Sequence, residues 1–225
     1  MNLIHNPSFQ WQNIDYVCVD MDGTLLDLHY DNQFWLEYVP EIYAQKNAMT
    51  LKQSKQKLYQ LFEKEKGTLN WYCLDYWSEL LQLDITTLKS HKAHLIKIRE
   101  GVVSFLEYVQ KLQKDLYLVT NAHQDAIQLK MKHVHISHYF DKIICSHDLG
   151  IAKESARFWD LFSQEFDIKK DKTLFIDDSE AVLQAAKGAG IKYVFGIRAP
   201  DSNQPEKELE NFDQIQHFSD MINLT

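Results

Sequence analysis

The sequence predicts an α/β protein: a parallel sheet covered by helices on both faces, interrupted after its first strand by an all-helical insert. Three observations predict it. Short, β-branched apolar runs alternate with helix-length amphipathic segments. The interval from about Leu28 to Arg99 breaks that alternation and holds no strand-like run. The same interval concentrates aromatics, with 11 of the chain's 28 between residues 30 and 80, enough apolar surface for a small core of its own.

The elements follow in order. Tyr16–Val19 reads as the first strand and the insert follows it, helical in pattern through Phe34, Trp35, Tyr38 and Val39 and again through Leu58, Leu61 and Phe62. Val102–Leu112 reads as a helix because Val102, Phe105, Leu106, Val109 and Leu112 recur at spacings of three and four. Leu116–Val119, Lys142–Cys145, Thr173–Ile176 and Lys192–Phe195 read as further strands, separated by helices at Gln124–Val134, Glu154–Glu165 and Glu180–Lys187. Gly188 and Gly190 close the last of these helices. Pro200–Pro205 reads as a loop before a helical or irregular tail.

The 225 residues suit one core domain with a large insert. A net charge of −8 argues against a partner held by nucleic-acid backbone phosphates, though one local cation can still hold a small phosphorylated ligand. No apolar run approaches the roughly 20 residues that span a bilayer. Met1–Pro7 lacks a basic region followed by an apolar run, so no cleaved signal peptide is expected. Cys18, Cys73 and Cys145 are an odd count without paired spacing, which fits a reducing compartment rather than a disulfide framework or a zinc site. The reading is a cytoplasmic protein with no membrane partner, monomer or homodimer.

Chemistry gathers at strand ends. The first strand ends in Asp20-Met21-Asp22-Gly23-Thr24, and open parallel sheets bind ligands at the carboxyl ends of their strands. A fourth strand ending in Asp177-Asp178-Ser179 brings a second acidic pair to the same edge. Carboxylates 4 Å apart repel by roughly 4 kcal/mol at an effective dielectric near 20, so such a cluster calls for a cation. All-oxygen ligands select a hard ion, and beside phosphate that is Mg²⁺. Thr120-Asn121 ends the second strand before a helix, where it can hold phosphate oxygens or simply cap the helix. Lys153 follows the third strand and supplies the cation such a site lacks.

This order of residues resembles the four motifs of the haloacid dehalogenase superfamily of phosphohydrolases. The resemblance implies a Rossmann-like parallel-sheet core, residues 1–27 and 100–225, with a helical cap at 28–99. It implies that Asp20 is the nucleophile, forming an aspartyl-phosphate, and that Asp22 is the general acid and base. It implies Mg²⁺ held by Asp20, Asp22 (through its carbonyl) and Asp178, with Asp177 as a direct or outer ligand, and phosphate oxygens held by Thr120, Asn121 and Lys153. Glu154 departs from the family pattern, since many members carry proline after the lysine.

Asp22–Leu28, Asp31-Asn32, Phe34-Trp35, Asn70–Trp77, Thr120–His123 and Phe175–Glu180 together resemble the bacterial GMP/IMP nucleotidase branch. That implies a 5'-nucleotidase whose substrate is a small phosphomonoester, a purine nucleoside monophosphate. Trp71, Tyr72 and His123 are then candidates to contact the base, and Trp77 is expected in the cap's core. Two alternatives stay open: a phosphatase of another small ester such as phosphoglycolate or a sugar phosphate, and a Mg²⁺-dependent binding module without turnover.

Overall fold

The computed structural model describes residues 9–222. Met1–Pro7, where no signal peptide was expected, lies outside the described residues. Strand β1 (Tyr16–Val19) is followed by a helical stretch: α1 (His29–Gln33), a π-helical turn (Phe34–Tyr38), α2 (Val39–Lys46), α3 (Leu51–Glu65), α4 (Leu69–Tyr72), α5 (Leu74–Leu81) and α6 (Ile85–His91). Then come α7 (Val102–Lys111), β2 (Asp115–Thr120), α8 (Gln124–Val134), β3 (Lys142–Cys145), α9 (Ser146–Leu149) and α10 (Ala156–Glu165). The chain continues with β4 (Thr173–Asp177), α11 (Glu180–Gly188), β5 (Tyr193–Ile197), β6 (Asp213–Ile215) and α12 (Ser219–Ile222).

The six strands form one parallel sheet in the order β3-β2-β1-β4-β5-β6. Val19 pairs with Leu118 on one side and Ile176 on the other, so Asp20, Val119 and Asp177 stand level at the carboxyl edge. The strand order reverses between β1 and β4, the position where open α/β sheets open a crevice. Side chains alternate across the pleat. Val17 and Val19 face a cluster with Val102, Phe105, Leu106 and Val109 of α7. Cys18 faces the opposite cluster, with Phe158, Trp159 and Phe162 of α10 and Val182, Leu183 and Ala186 of α11.

The five expected strands are present within one or two residues of their predicted ends. β6 was not foreseen: three residues beside β5 carry too little periodicity to register, and it is the sheet, not the segment, that makes them a strand. The helix expected from Glu154 begins at Ala156 instead. Lys153 donates its backbone N–H to Asn121 Oδ1 and its carbonyl accepts from Trp159 Nε1, which takes residues 153–155 out of helical geometry.

Within residues 29–95, the helix running through α1 and α2 widens at Phe34–Tyr38 because Pro40 cannot donate a backbone hydrogen bond. The Leu36 carbonyl is served instead by the Tyr59 hydroxyl at 3.0 Å. A Thr50/Gln53 capping box starts α3, and Leu58, Phe62, Leu74, Trp77 and Leu81 are buried. This stretch does not keep the separate core that its aromatics suggested. Its apolar side chains join the cluster on the α7 side of the sheet, because α6 and the Ala93–Leu95 turn pack on α8. The chain leaves and re-enters the sheet layer side by side, with Asp27 N–H on the Lys97 carbonyl at 2.9 Å and Arg99 N–H on the Leu25 carbonyl at 3.0 Å. Among the described residues no helix is long and apolar enough to cross a membrane.

Candidate active site

Asp20 leaves β1 with its N–H on the Ile176 carbonyl of β4 at 3.0 Å, which fixes the carboxylate over the crevice. Gly23 turns the chain at φ +77°, and a Cβ there would stand 2.6 Å from Asp178 Cγ. Only glycine lets the β1 loop and the β4 end approach this closely. Asp177 is held by β4 and accepts the Ser179 N–H on Oδ1 at 2.7 Å. Oxygens of Asp20, Asp177 and Asp178 lie within 4.8 Å of one another.

Lys153 sits in the middle of this cluster. Its Nζ donates to Asp20 Oδ1 at 2.5 Å, Asp177 Oδ2 at 2.7 Å and the Val119 carbonyl at 2.9 Å, and the side chain is 2% exposed. Burial alone would lower its pKa, but Asp177 and Asp20 outweigh that and raise it. Burial, reinforced by Asp177, Asp178 and Asp22, pushes Asp20 well above the usual carboxylate range against the pull of Lys153. Burial and then Asp177 push Asp178 up to about 7. Lys153 and Lys207, the latter 3.9 Å from Asp178, set two ammoniums against three carboxylates, which leaves the acidic cluster under-compensated. Three oxygen donors around an uncompensated negative charge, with no soft ligand among them, fit a hard divalent cation. Both Asp177 oxygens are already engaged, one by Ser179 and one by Lys153.

Thr120 is buried at the end of β2, and its hydroxyl caps the turn by accepting from Ala122 N–H at 3.1 Å. Asn121 uses both ends of its amide within the protein: Oδ1 receives the Lys153 N–H, and Nδ2 donates to Glu154 Oε2 at 2.9 Å. Asp20, Asp22, Thr120, Asn121 and Lys153 line one cavity of about 400 Å³. Trp71, Tyr72 and His123 line it too. Trp71 meets Phe62 and Trp77 edge-on, while Trp77 is buried and donates to the Trp71 carbonyl, as its expected core role requires. The Tyr72 hydroxyl donates to Glu154 Oε1 at 2.5 Å, and burial raises its pKa well above the usual value, with Glu154 adding to this. His123 stands 3.6 Å from Asp75 and 3.8 Å from Asp125, its ring against that of His147.

Sequence reasoning missed a second charged group lining the cavity. Lys130 of α8 pairs with Asp22 Oδ1 at 2.6 Å and Asp31 Oδ2 at 2.7 Å, and Lys89 of α6 pairs with Asp31 Oδ1 at 2.8 Å. Burial raises the Asp22 pKa despite Lys130. Burial would also raise Asp31, but Lys130 and Lys89 outweigh it and hold the group at about 2. A signal was present. Lys130 falls on the stripe of Ala126, Ile127 and Met131, and a lysine on an apolar helix face needs a buried partner.

The profile of the haloacid dehalogenase-like hydrolases matches residues 17–195. The chain is 39% identical over 212 residues to the GMP/IMP nucleotidase YrfG of Escherichia coli (strain K12), covering 94% of this chain and 96% of that one. It is 25% identical over 105 residues to the phosphorylated carbohydrates phosphatase of Thermotoga maritima, covering 47% of this chain and 49% of that one. Among solved structures, a HAD phosphatase from Thermococcus onnurineus shares the fold at a TM-score of 0.77 and 17% identity, with 92% of this chain and 96% of that one covered. With Asp20, Thr120, Lys153 and Asp177-Asp178 drawn to one sheet edge and a profile match running from β1 to β5, the chain belongs to the haloacid dehalogenase-like hydrolases and is an enzyme of their phosphohydrolase branch.

Proposed function

We propose that this enzyme is a Mg²⁺-dependent 5'-nucleotidase that hydrolyses purine nucleoside monophosphates, GMP and IMP, through an aspartyl-phosphate at Asp20. One observation carries the chemistry: Asp20 stands at the strand-order reversal with Lys153 at 2.5 Å and Asp177 and Asp178 beside it. The substrate rests on the likeness to a GMP/IMP nucleotidase along 94% of the chain, insert included. A cavity of about 400 Å³ is large enough for a nucleoside monophosphate.

In this reading Asp20 attacks phosphorus, forming an O–P bond as the bond to the ribose 5'-oxygen breaks. The leaving oxygen keeps the electron pair and takes a proton from Asp22. Asp22 then removes a proton from water, which attacks the aspartyl-phosphate and releases inorganic phosphate and free Asp20. Lys153, Thr120 and Asn121 hold the oxygens that do not react, Asn121 once its contact with Glu154 loosens. Mg²⁺ would be held by Asp20, Asp178 and the Asp22 carbonyl, with the doubly engaged Asp177 behind them, and supplies positive charge for the phosphate oxygens. Residues 28–99 act as a cap on the core formed by 1–27 and 100–225, with Trp71 the foremost candidate for the base, ahead of Tyr72 and His123.

The test is phosphate release from nucleoside monophosphates, phosphoglycolate and sugar phosphates, with and without Mg²⁺. GMP and IMP should be the best substrates, chelator should stop turnover, and Asp20→Asn should retain less than about 1%. Preference for an ester without a base would replace the nucleotidase reading. Turnover by Asp20→Asn would remove the nucleophile.

A further inference from the structure

We propose that Lys130 is a positioning residue for Asp22, and that Asp31 of the insert steers it, so that acid–base chemistry depends on the insert being seated on the core. This rests on the role of Asp22 proposed above.

Lys130 is 1% exposed and Lys89 is 2% exposed. Taking an ammonium out of water is costly unless it is paired, so each contact here is needed for burial at all. The pairs form a chain across two parts of the fold. Lys89 and Asp31 belong to the insert; Lys130 and Asp22 belong to the sheet layer and its helices. Lys89 is fixed from behind by the rings of Phe34 at 4.5 Å and Tyr30 at 4.9 Å, so it holds Asp31 from one direction only. Asp31 in turn presents its second oxygen to Lys130.

Two carboxylates and two ammoniums balance, which a purely structural quartet would also achieve. The difference is the end of the chain. Lys130 does not stop at Asp31 but reaches Asp22, the one member at the loop after β1, which lines the cavity with Asp20. The 2.6 Å ion pair lies on Oδ1 of Asp22, a buried oxygen, and leaves Oδ2 as the oxygen that exchanges a proton with substrate. A carboxylate tethered at one oxygen keeps its other oxygen within a narrow arc, and a misplacement of about 1 Å can cost about 100-fold in rate. When the insert lifts, Lys130 loses Asp31 and the tether loses its second anchor. A substrate whose body holds the insert down thus also aligns the acid.

The test compares alkyl with aryl esters, because only a poor leaving group needs the proton. The full-length enzyme with Mg²⁺ is assayed on inosine 5'-monophosphate, on ribose 5-phosphate as an alkyl ester without a base, and on p-nitrophenyl phosphate. Lys130→Met should lower kcat on the alkyl esters about 100-fold with KM within about threefold, and on the aryl ester by less than about tenfold. Lys130→Arg should recover most of that loss. In an Asp22→Asn background, Lys130→Met should change kcat by less than about threefold. Equal losses on alkyl and aryl esters, or a full further loss in Asp22→Asn, would overturn the proposal. Circular dichroism checks the fold; if Lys130→Met does not fold, Asp31→Asn carries the same comparison, with an alkyl-selective loss of about tenfold as support and an equal loss as refutation. If Asp22→Asn itself shows no alkyl selectivity, the acid–base role falls and this proposal with it. If Asp22→Asn discriminates and Lys130→Met does not, only this proposal falls. Neither result depends on the purine.

Discussion

Tyr72 of the insert donates a 2.5 Å hydrogen bond to Glu154, the residue that follows the central lysine of the site. Glu154 takes the Asn121 amide on its other oxygen. Glu154 thus bridges the insert to the end of β2. Tyr72→Phe keeps the ring and removes the donor. A hydrogen bond to a charged group contributes about 1.5–3 kcal/mol, so kcat/KM should fall about tenfold or more. Because the bond closes the site without touching a base, the loss should be the same for purine monophosphates and p-nitrophenyl phosphate. A change in the ratio of the two would place Tyr72 at the base instead.

Gly23→Ala tests the approach of the two acidic loops. The new Cβ would need a left-handed backbone, at a cost of about 1–3 kcal/mol, and would meet Asp178 Cγ at 2.6 Å. Asp178 must move, and displacement of about 1 Å should lower kcat about 100-fold while the far-ultraviolet circular dichroism stays unchanged. The concentration of Mg²⁺ needed for half activity should rise. Wild-type Mg²⁺ dependence in this variant would separate Asp178 from the metal.

The sheet and its acidic edge were legible because they follow from local rules. Val17-Cys18-Val19 and Leu174-Phe175-Ile176 are continuous apolar runs that only a strand buried on both faces explains, and each ends in a carboxylate pair. What stayed illegible depends on approach between distant segments. Asp31 gives no local sign that it meets Lys89, 58 residues away, and Lys130, 99 residues away. Lys89 and Lys130 each lie on a helix face with buried apolar neighbours, which gives no sign of the carboxylate that each meets. The Asn121 amide was legible as a strand-end polar group, but its commitment to Lys153 N–H and Glu154 was not, since helix α10 was expected to begin two residues early.

Acid titration should expose Asp31. Its folded pKa, about 2, lies below the usual value of 3.8 because Lys130 and Lys89 outweigh the effect of burial. A depressed carboxylate contributes stability that is complete above its unfolded pKa and is lost as pH falls through the folded one. The window is therefore about pH 4 down to 2. Asp31→Asn should lower Tm at pH 7, since two buried ammoniums lose a partner, and should flatten the fall in Tm within that window. Parallel acid limbs in wild type and variant would show that Asp31 is not the titrating group.

Trp71 and Trp77 are six residues apart in the insert and pack ring edge to ring face, yet they should fail in different ways. Trp77 is buried among Phe62, Trp35 and Tyr76, so Trp77→Ala should cost about 3–5 kcal/mol in urea unfolding and damage turnover of every substrate together. Trp71 is only partly buried and lines the cavity that holds Asp20. The groups that bind phosphate cannot tell GMP from a small ester, so discrimination has to come from side chains at the insert side of that cavity. If Trp71 stacks on the base, removing a contact of about 1–3 kcal/mol should raise KM for GMP and IMP and lower kcat/KM by roughly 10- to 100-fold. Ribose 5-phosphate and p-nitrophenyl phosphate, which have no purine to stack, should change far less. Trp71→Phe should keep most of the preference, because a smaller ring still offers a face. An unchanged ratio of purine to base-free substrate in Trp71→Ala would release Trp71 from recognition and direct the search to Trp35 and Asn32, which line the same cavity.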